Sequence, residues 1–469
     1  MVRAFVTSGR AVRSRGGTYS GPTMPLDYPV STTTLDNGLR VVVSPDRSVP
    51  AVSLNLWVDV GSRHERPGRT GLAHLFEHLM FQGSELVSEG EHMSLLMAHG
   101  GRSNATTSFD RTTYVESMPV GALDLALWLE ADRHGYLLPA VTQANLDNQR
   151  DVVVEEKRQR YDTVPYGQAL AHACRAVFPA GHPYHHTTIG EMDDLLSADL
   201  SDVHAFYRAH YGPRTTTLTV VGDVDPIQVV DRAHHFLGHL VDGTQDRPPR
   251  GPALGPSTDP VVLDLVEDVP SDRLYLTFRL PPVTDPRFLH CAMALDALAS
   301  LDVSRLHQRL LRRDESASGV HASALGLVDG ASLGLLVLDV SDGVDPAEVE
   351  SAVREELVSL GEAGPGEAEL DASRADTERS WLEALSAHDE RAELLSRAAV
   401  SLGDAHQVNT YLDEVMAVTP DEVRQAAATW LSPEVMSTLR YRRAGSRNDP
   451  AARTTAAEGA AAHHAGGLP

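Results

Sequence analysis

Cysteine is nearly absent from this chain of 469 residues, which has two, Cys174 and Cys291. They stand far apart with no partner pattern, which excludes a disulfide framework and a cysteine-based zinc site. They read as two reduced thiols of a cytosolic protein. Lysine is scarcer still: Lys157 is alone among arginines, a bias of composition from which no function follows. No apolar run reaches the roughly 18 residues of a membrane-spanning helix, so no membrane role is expected. Basic charge is in deficit, with 40 Lys+Arg against 65 Asp+Glu and a formal net charge of −25. A nucleic-acid binder shows a basic face or stripe, so that class is excluded too. Basic or unfolded peptides remain compatible partners, although acidity is mostly a statement about solubility.

What is present is a soluble globular balance, 42% hydrophobic and 22% charged. The length corresponds to about two to four domains. The first 24 residues carry Arg3, Arg10, Arg13 and Arg15 and no acid. Arg-rich, acid-poor leaders can be organelle transit peptides. Here Gly16, Gly17, Gly21 and the missing apolar stripe point to a disordered extension over 1–26, or to a start at Met24. A bacterial, cytoplasmic location is the expectation.

Folded structure is expected from Asp27. Leu39–Val43 reads as a strand after the Asp36-Asn37-Gly38 turn signal, and the alternating Ala51–Val60 as a second. Leu72, Leu75, Phe76 and Leu79 recur at helical spacing within Thr70–Phe81. Gly90–Ala98 reads as a short helix, Ser103–Met118 as strand, turn and strand, and 121–137 and 142–161 as helices. A helical region at 168–210, a strand at Thr215–Val221 and a helix at Pro226–Leu240 complete a first half, 27–240. Residues 241–259 are rich in Pro, Gly and Asp and read as a linker. A second half, 260–444, repeats a similar order: Arg273–Arg279 extended, Arg287–Arg313 helical, two strands within 319–341, then helices near 345–360, 366–402 and 419–430. The Ala/Gly/Thr-rich stretch 445–469 reads as a disordered tail. The fold class expected is α+β: two similar α/β-sandwich halves, each with a mainly antiparallel sheet flanked by helices.

Chemistry concentrates in GLAHLFEHLMFQG, residues 71–83, which holds the pattern H-x-x-E-H. Positions i and i+4 share a helix face, so His74 and His78 can present two imidazoles to one zinc ion. Glu77 lies on the same side, placed to take a proton from a water that zinc has made acidic and to pass it to a leaving amine. Among 22 histidines a chance i,i+4 pair is expected, so the intervening Glu77 and the apolar Leu72, Leu75, Phe76 and Leu79 carry the argument. The reversed order defines the inverzincins. A catalytic zinc takes a third protein ligand from another element. Glu155 and Glu156 on the helix near 142–161 both qualify by chemistry, and periodicity does not choose between them.

These residues resemble the pitrilysin/insulinase peptidases, more closely their branch of roughly 450 residues that includes the mitochondrial processing peptidase and bacterial relatives. The likeness runs from Leu35-Asp-Asn-Gly-Leu-Arg-Val-Val through residues 71–81 and Gly100-Gly-Arg-Ser-Asn-Ala-Thr-Thr107, with Asp110 and Tyr114. It continues in Arg150-Asp-Val-Val-Val-Glu-Glu-Lys-Arg-Gln, His182-Pro-Tyr184 and Val220-Val-Gly-Asp223. The resemblance implies one zinc per chain, with Glu156 as the third ligand and Gln149 where many members carry a second-layer glutamate. It implies that substrate adds as a strand along Ser103, Asn104, Ala105 and Thr106. Single-chain members also carry an arginine and a tyrosine seven positions apart in the second half. Arg313 stands for the arginine, but Val320 takes the tyrosine's place and cannot donate to an oxyanion. The reading implied is a zinc endopeptidase, the catalytic subunit of a two-chain processing enzyme. Its partner would be a chain carrying an Arg/Tyr pair, with a homodimer as the variant. A non-catalytic structural subunit of the same fold is the rival.

Overall fold

The computed structural model describes residues 25–241 and 250–445. Positions 1–24 of the expected extension, 242–249 of the expected linker and 446–469 of the expected tail lie outside the described residues. Two sheets organise the rest. β1 (Ser31–Thr34), β2 (Arg40–Pro45), β3 (Ala51–Val58), β4 (Arg102–Thr107), β5 (Thr112–Pro119) and β6 (Thr216–Gly222) form the first, in the order β1-β2-β6-β3-β5-β4. β7 (Val262–Glu267), β8 (Arg273–Leu280), β9 (Ala317–Leu325), β10 (Ser332–Val340) and β11 (Ser437–Arg443) form the second, in the order β7-β11-β8-β10-β9. Neighbours are antiparallel, except the parallel pairs β2 with β6 and β7 with β11. The chain is therefore α+β with mixed, mainly antiparallel sheets. With β1 set aside, the two strand orders are the same: first, last, second, fourth, third. The similar order of elements along the two halves is thus matched by a similar topology.

The first half carries helices α1 (Leu72–Leu79), α2 (Glu91–Ala98), α3 (Leu123–Tyr136), α4 (Gln143–Lys157), α5 (Ala169–Val177), α6 (Met192–Ser197), α7 (Leu200–His210) and α8 (Pro226–Leu237). The second carries α9 (Arg287–Leu295), α10 (Pro346–Ala363), α11 (Glu367–Ser386), α12 (His388–Arg397), α13 (Gln407–Ala417) and α14 (Pro420–Trp430). None of the described helices is long and apolar enough to cross a membrane.

Each sheet buries one face under its own helices. Leu54 and Leu56 meet Phe76 and Leu79 in one core, and Leu276 and Phe278 meet Val353 and Leu357 in the other. The outer faces are covered by exchange. Ala392 and Leu395 of α12 pack on Val42 and Val221 of the first sheet. Ala169 and Ala173 of α5 pack on Tyr275, Leu439 and Tyr441 of the second. Cover on both faces explains why β6, which reads TTLTVVG, is buried at every position, its threonines included.

The sequence expectations miss β1, β7, β11 and α13. β11 reads STLRYRR, and its arginines hide a central strand. Leu439 and Tyr441 turn inward, while Arg440 pairs with Glu350 and Asp264 and Arg442 with Asp264. The single helix expected over Arg287–Arg313 is broken at 301–304, after a π turn at Asp296–Ser300. The one expected over 366–402 is divided by a single extended residue, Ala387. Helical periodicity continues across both breaks, so pattern alone does not reveal them.

Candidate metal centre

α1 begins where backbone meets backbone. Gly71 has φ +85°, and a Cβ on Gly190 would stand 2.3 Å from the Gly71 nitrogen, so the loop before α6 closes on the start of α1 without side chains between. The exposed N–H groups of that first turn are met by Glu65, whose carboxylate accepts from Gly71 N at 2.9 Å and Ala73 N at 2.8 Å. Glu65 is fully buried and also accepts from His186 Nε2 at 2.9 Å. Leu72, Leu75, Phe76 and Leu79 sink into the core, which turns His74, Glu77 and His78 toward β4 and α4.

The sequence leaves Glu155 and Glu156 open on chemical grounds, and the structure separates them. Glu155 lies outward and binds Arg158 and Gln159. Glu156 turns inward, its Oε2 3.4 Å from His78 Nε2 and 3.7 Å from His74 Nε2. The three ligand atoms lie within 4.8 Å of one another. Two ligands of a tetrahedral zinc stand about 3.3 Å apart when each bond is about 2.0–2.1 Å. Two imidazole nitrogens and one carboxylate oxygen, converging at nearly that spacing, fit a zinc ion. Burial and the neighbouring His78 pull His74 down to about 4, which leaves it neutral and ready to ligate. Burial would lower His78 as well, but its hydrogen bond and attraction to Glu156 outweigh this and raise it. Gln149, buried behind the pair, supports the charged form of His78. The second oxygen of Glu156 meets Arg160 Nη1 at 2.5 Å.

Glu77 stands beside this cluster. Burial pushes its carboxyl up, and a hydrogen bond from Thr107 Oγ1 at 2.5 Å pulls the other way. Thr107 ends β4, the outer strand of the sheet, so the same strand that offers an edge also orients Glu77. Ser103, Asn104, Ala105 and Thr106 lie along that edge, half-buried or exposed. Arg313 is not drawn into this group. It is exposed at the end of a π-helical segment, and its hydrogen bonds among the described residues go to Asp314. Val320 points into the second core. Sequence reasoning gave no role to Glu65, His186, Thr107 or Arg160. Thr107 closes the segment Gly100–Thr107 that carries part of the family likeness. The meeting of Glu65 with His186 needs the fold.

A second buried cluster, His92, Glu116 and Glu130, brings three ligand atoms equally close. It does not suit a cation. Arg133 binds Glu130 through Nε at 2.8 Å and again through Nη2, and its guanidinium lies 4.4 Å over the Tyr114 ring. The position a metal would need is already charged. Burial and the nearby Glu130 raise Glu116, whose Oε1 lies 2.7 Å from His92 Nε2.

Comparison with known proteins agrees with this geometry. Residues 40–188 match the family described as Insulinase (Peptidase family M16), and residues 197–376 match the Peptidase M16 inactive domain. The zinc protease PqqE of Helicobacter pylori is 31% identical over 333 residues, 70% of this chain and 72% of that one. The crystal structure of a protease from Helicobacter pylori is similar with a TM-score of 0.81 at 24% identity, covering 88% of this chain and 99% of that chain. The first half of the periplasmic protease PqqL from Escherichia coli is similar with a TM-score of 0.69 at 20% identity, covering 92% and 94%. Against the longer PqqL structure the match spans 49% of that chain. These structural likenesses speak for the fold. The segment matched at 40–188 contains the whole candidate centre from His74 to Glu156, and with a relative at 31% identity over most of both proteins the chain belongs to the insulinase family of peptidases, M16.

Proposed function

We propose that this chain is a zinc-dependent endopeptidase acting on peptides or unfolded segments, and the catalytic member of a pair of chains. The observation that carries the proposal is the convergence of His74, His78 and Glu156 with Glu77 beside them. His74, His78 and Glu156 would hold one zinc. Zinc there supplies Lewis acidity, polarising the scissile carbonyl and making water acidic near neutral pH. Glu77 takes the proton of the attacking water and returns it to the leaving amine. Thr107 holds the Glu77 carboxylate in one orientation while this happens. The β4 edge, Ser103–Thr106, pairs with the substrate backbone, so affinity comes from the main chain and side-chain pockets select. Val320 offers no donor to a developing oxyanion and Arg313 is engaged with Asp314, so those contacts come from a second chain. The match to half of PqqL supports a working unit of two such chains. A hetero-partner with an Arg/Tyr pair is the arrangement proposed, and a homodimer is the variant. We place the enzyme in the cytoplasm; cell fractionation tests this against the periplasmic precedent of PqqL.

The test joins metal content to turnover. Purified protein should hold about one zinc per chain, lost on His74→Ala. Glu77→Gln should keep the metal and lower peptide hydrolysis about 10²- to 10⁴-fold. Zinc that survives His74→Ala would favour the rival reading, a structural subunit. Hydrolysis that survives Glu77→Gln refutes the mechanism. Full activity from the single chain removes the need for a partner of different sequence.

A further inference from the structure

Composition gives the chain's single lysine no role, but its place in the fold gives it one. Lys157 is the last residue of α4, one position after Glu156. It is buried, with 8% of its surface exposed. Lysine is rarely buried without a carboxylate to pair with. Among the described residues no carboxylate forms an ion pair with Lys157, and its Nζ donates instead to Gly190 O at 3.1 Å. Gly190 is also where the loop before α6 meets the start of α1. A Cβ on it would stand 2.4 Å from Thr70 C and 2.5 Å from Gly71 Cα. The residues around Gly190 hold that contact closed. Glu191 N donates to Thr70 Oγ1 at 2.9 Å, and Thr70 donates to Asp194 Oδ2 from Oγ1 at 2.6 Å and from N at 3.0 Å. Ile189 and Leu195 are buried in the core that holds Leu72 of α1 and Val153 of α4. One residue, Gly190, thus touches the beginning of one ligand-bearing helix with its Cα and the end of the other through its carbonyl.

The ligand atoms of the candidate centre come from these two helices, His74 and His78 from α1 and Glu156 from α4. Their convergence depends on where α4 ends relative to where α1 begins. The regular α-helical ladder stops at that point, since a π turn follows at Arg158–Asp162. We infer that Lys157 is a positioning residue for the metal centre: by tying the last turn of α4 to Gly190 it sets the approach of Glu156 to His74 and His78. The inference rests on the zinc reading of that cluster. Ligands must be held to within about 0.5 Å of the productive geometry, and a tether one residue from Glu156 supplies that restraint. Stability does not account for the tether. Replacing a buried, unpaired amine with an apolar side chain of similar length is neutral or stabilising. Positioning and stability therefore predict opposite consequences of removing it.

The experiment compares the full chain with two variants. Lys157→Met keeps the length of the side chain and loses the donor; Lys157→Arg keeps a donor. Zinc affinity is read by competition with a chelator of known strength, and unfolding of the metal-free proteins by calorimetry. Lys157→Met should weaken zinc binding about 10- to 100-fold without lowering the melting temperature of the metal-free protein. Lys157→Arg should bind zinc more tightly than Lys157→Met. Three results overturn the inference: zinc affinity that Lys157→Met leaves unchanged, an arginine no better than the methionine, or a loss of affinity accompanied by a fall in the metal-free melting temperature. Hydrogen exchange of the metal-free parent and of Lys157→Met is measured alongside. Faster exchange at the end of α4 in Lys157→Met, with no zinc bound by the parent, removes the zinc reading and leaves the tether. Tight zinc in the parent, with affinity and exchange the same in Lys157→Met, does the reverse.

Discussion

α1 and α9 occupy the same place in two sheets of the same strand order, each following the second strand of its set. α1 reads LAHLFEHL and turns two imidazoles and a carboxylate out of the core. α9 reads RFLHCAMAL, with His290 its sole imidazole, no acid, and Cys291 fully buried. The contrast extends beyond the helices. The first half buries Arg63, His92, Glu116, Glu130, Arg133 and Lys157; the second buries Asp272, Asp329, Glu350 and Arg391, but the core beneath α9 is built from Leu274, Leu276, Phe278, Leu298, Leu336 and their neighbours. One scaffold thus serves two purposes. Where it carries chemistry, charged groups are taken out of water and must be paired. Where it carries packing, the core under the helix is largely aliphatic.

The comparison can be broken at its costliest pairing. Arg63 is 5% exposed and faces Asp59 at 3.4 Å, Asp110 at 3.1 Å and Asp329 at 3.5 Å, the last from the β9–β10 hairpin of the second half. Arg63→Ala removes the guanidinium that faces three carboxylates and should cost about 3–5 kcal/mol in calorimetric unfolding. A change below about 1 kcal/mol would show that the buried charge is already compensated. Acid should also strike the first half. Burial, with help from Arg66 and Arg63, lowers His210 to about 4 from an ordinary 6.5. Below 6.5 the unfolded chain therefore binds the extra proton, and stability falls as pH drops from 6.5 toward 4. His210→Gln should remove a part of that slope of order 2 kcal/mol, read from denaturant midpoints across the window. A slope identical to the parent's would place the proton elsewhere. Thr107→Val should slow hydrolysis about tenfold with zinc content unchanged, since one hydrogen bond to a charged group is lost. An unaltered rate would mean that Glu77 is oriented without it. The smallest effect belongs to α9: His290→Ala should leave zinc content and hydrolysis as they were and move stability by no more than about 0.5 kcal/mol. Lost zinc there would erase the contrast between the halves.

Much of this was legible in the residues. The 3.6-residue recurrence of Leu72, Leu75, Phe76 and Leu79 marks α1, and the polar residues between them mark its chemistry. Alternation marks β5, where Tyr114, Glu116 and Met118 turn one way and Val115 and Ser117 the other. What stayed hidden depends on partners distant in sequence. β11 looks charged until Glu350 and Asp264 are placed opposite its arginines. The choice between Glu155 and Glu156 follows from how α4 is rotated against α1, which packing sets and local periodicity does not. Glu65 reads as a loop acid until His186, 121 positions away, is brought to it. Arg313 is placed by its spacing to residue 320 alone; in the fold its side chain turns to Asp314.

The exchange of α5 and α12 between the sheets bears on what counts as a unit of folding. Each half alone would present a sheet face of the kind that elsewhere nucleates aggregation, Val42 and Val221 on one, Tyr275, Leu439 and Tyr441 on the other. Two halves separated by cleavage between them are therefore expected to expose these faces, although the strand order repeats. The plan is repeated, yet each copy is covered in part by a helix of the other, so a single cooperative transition of the two halves together is the expected melting behaviour.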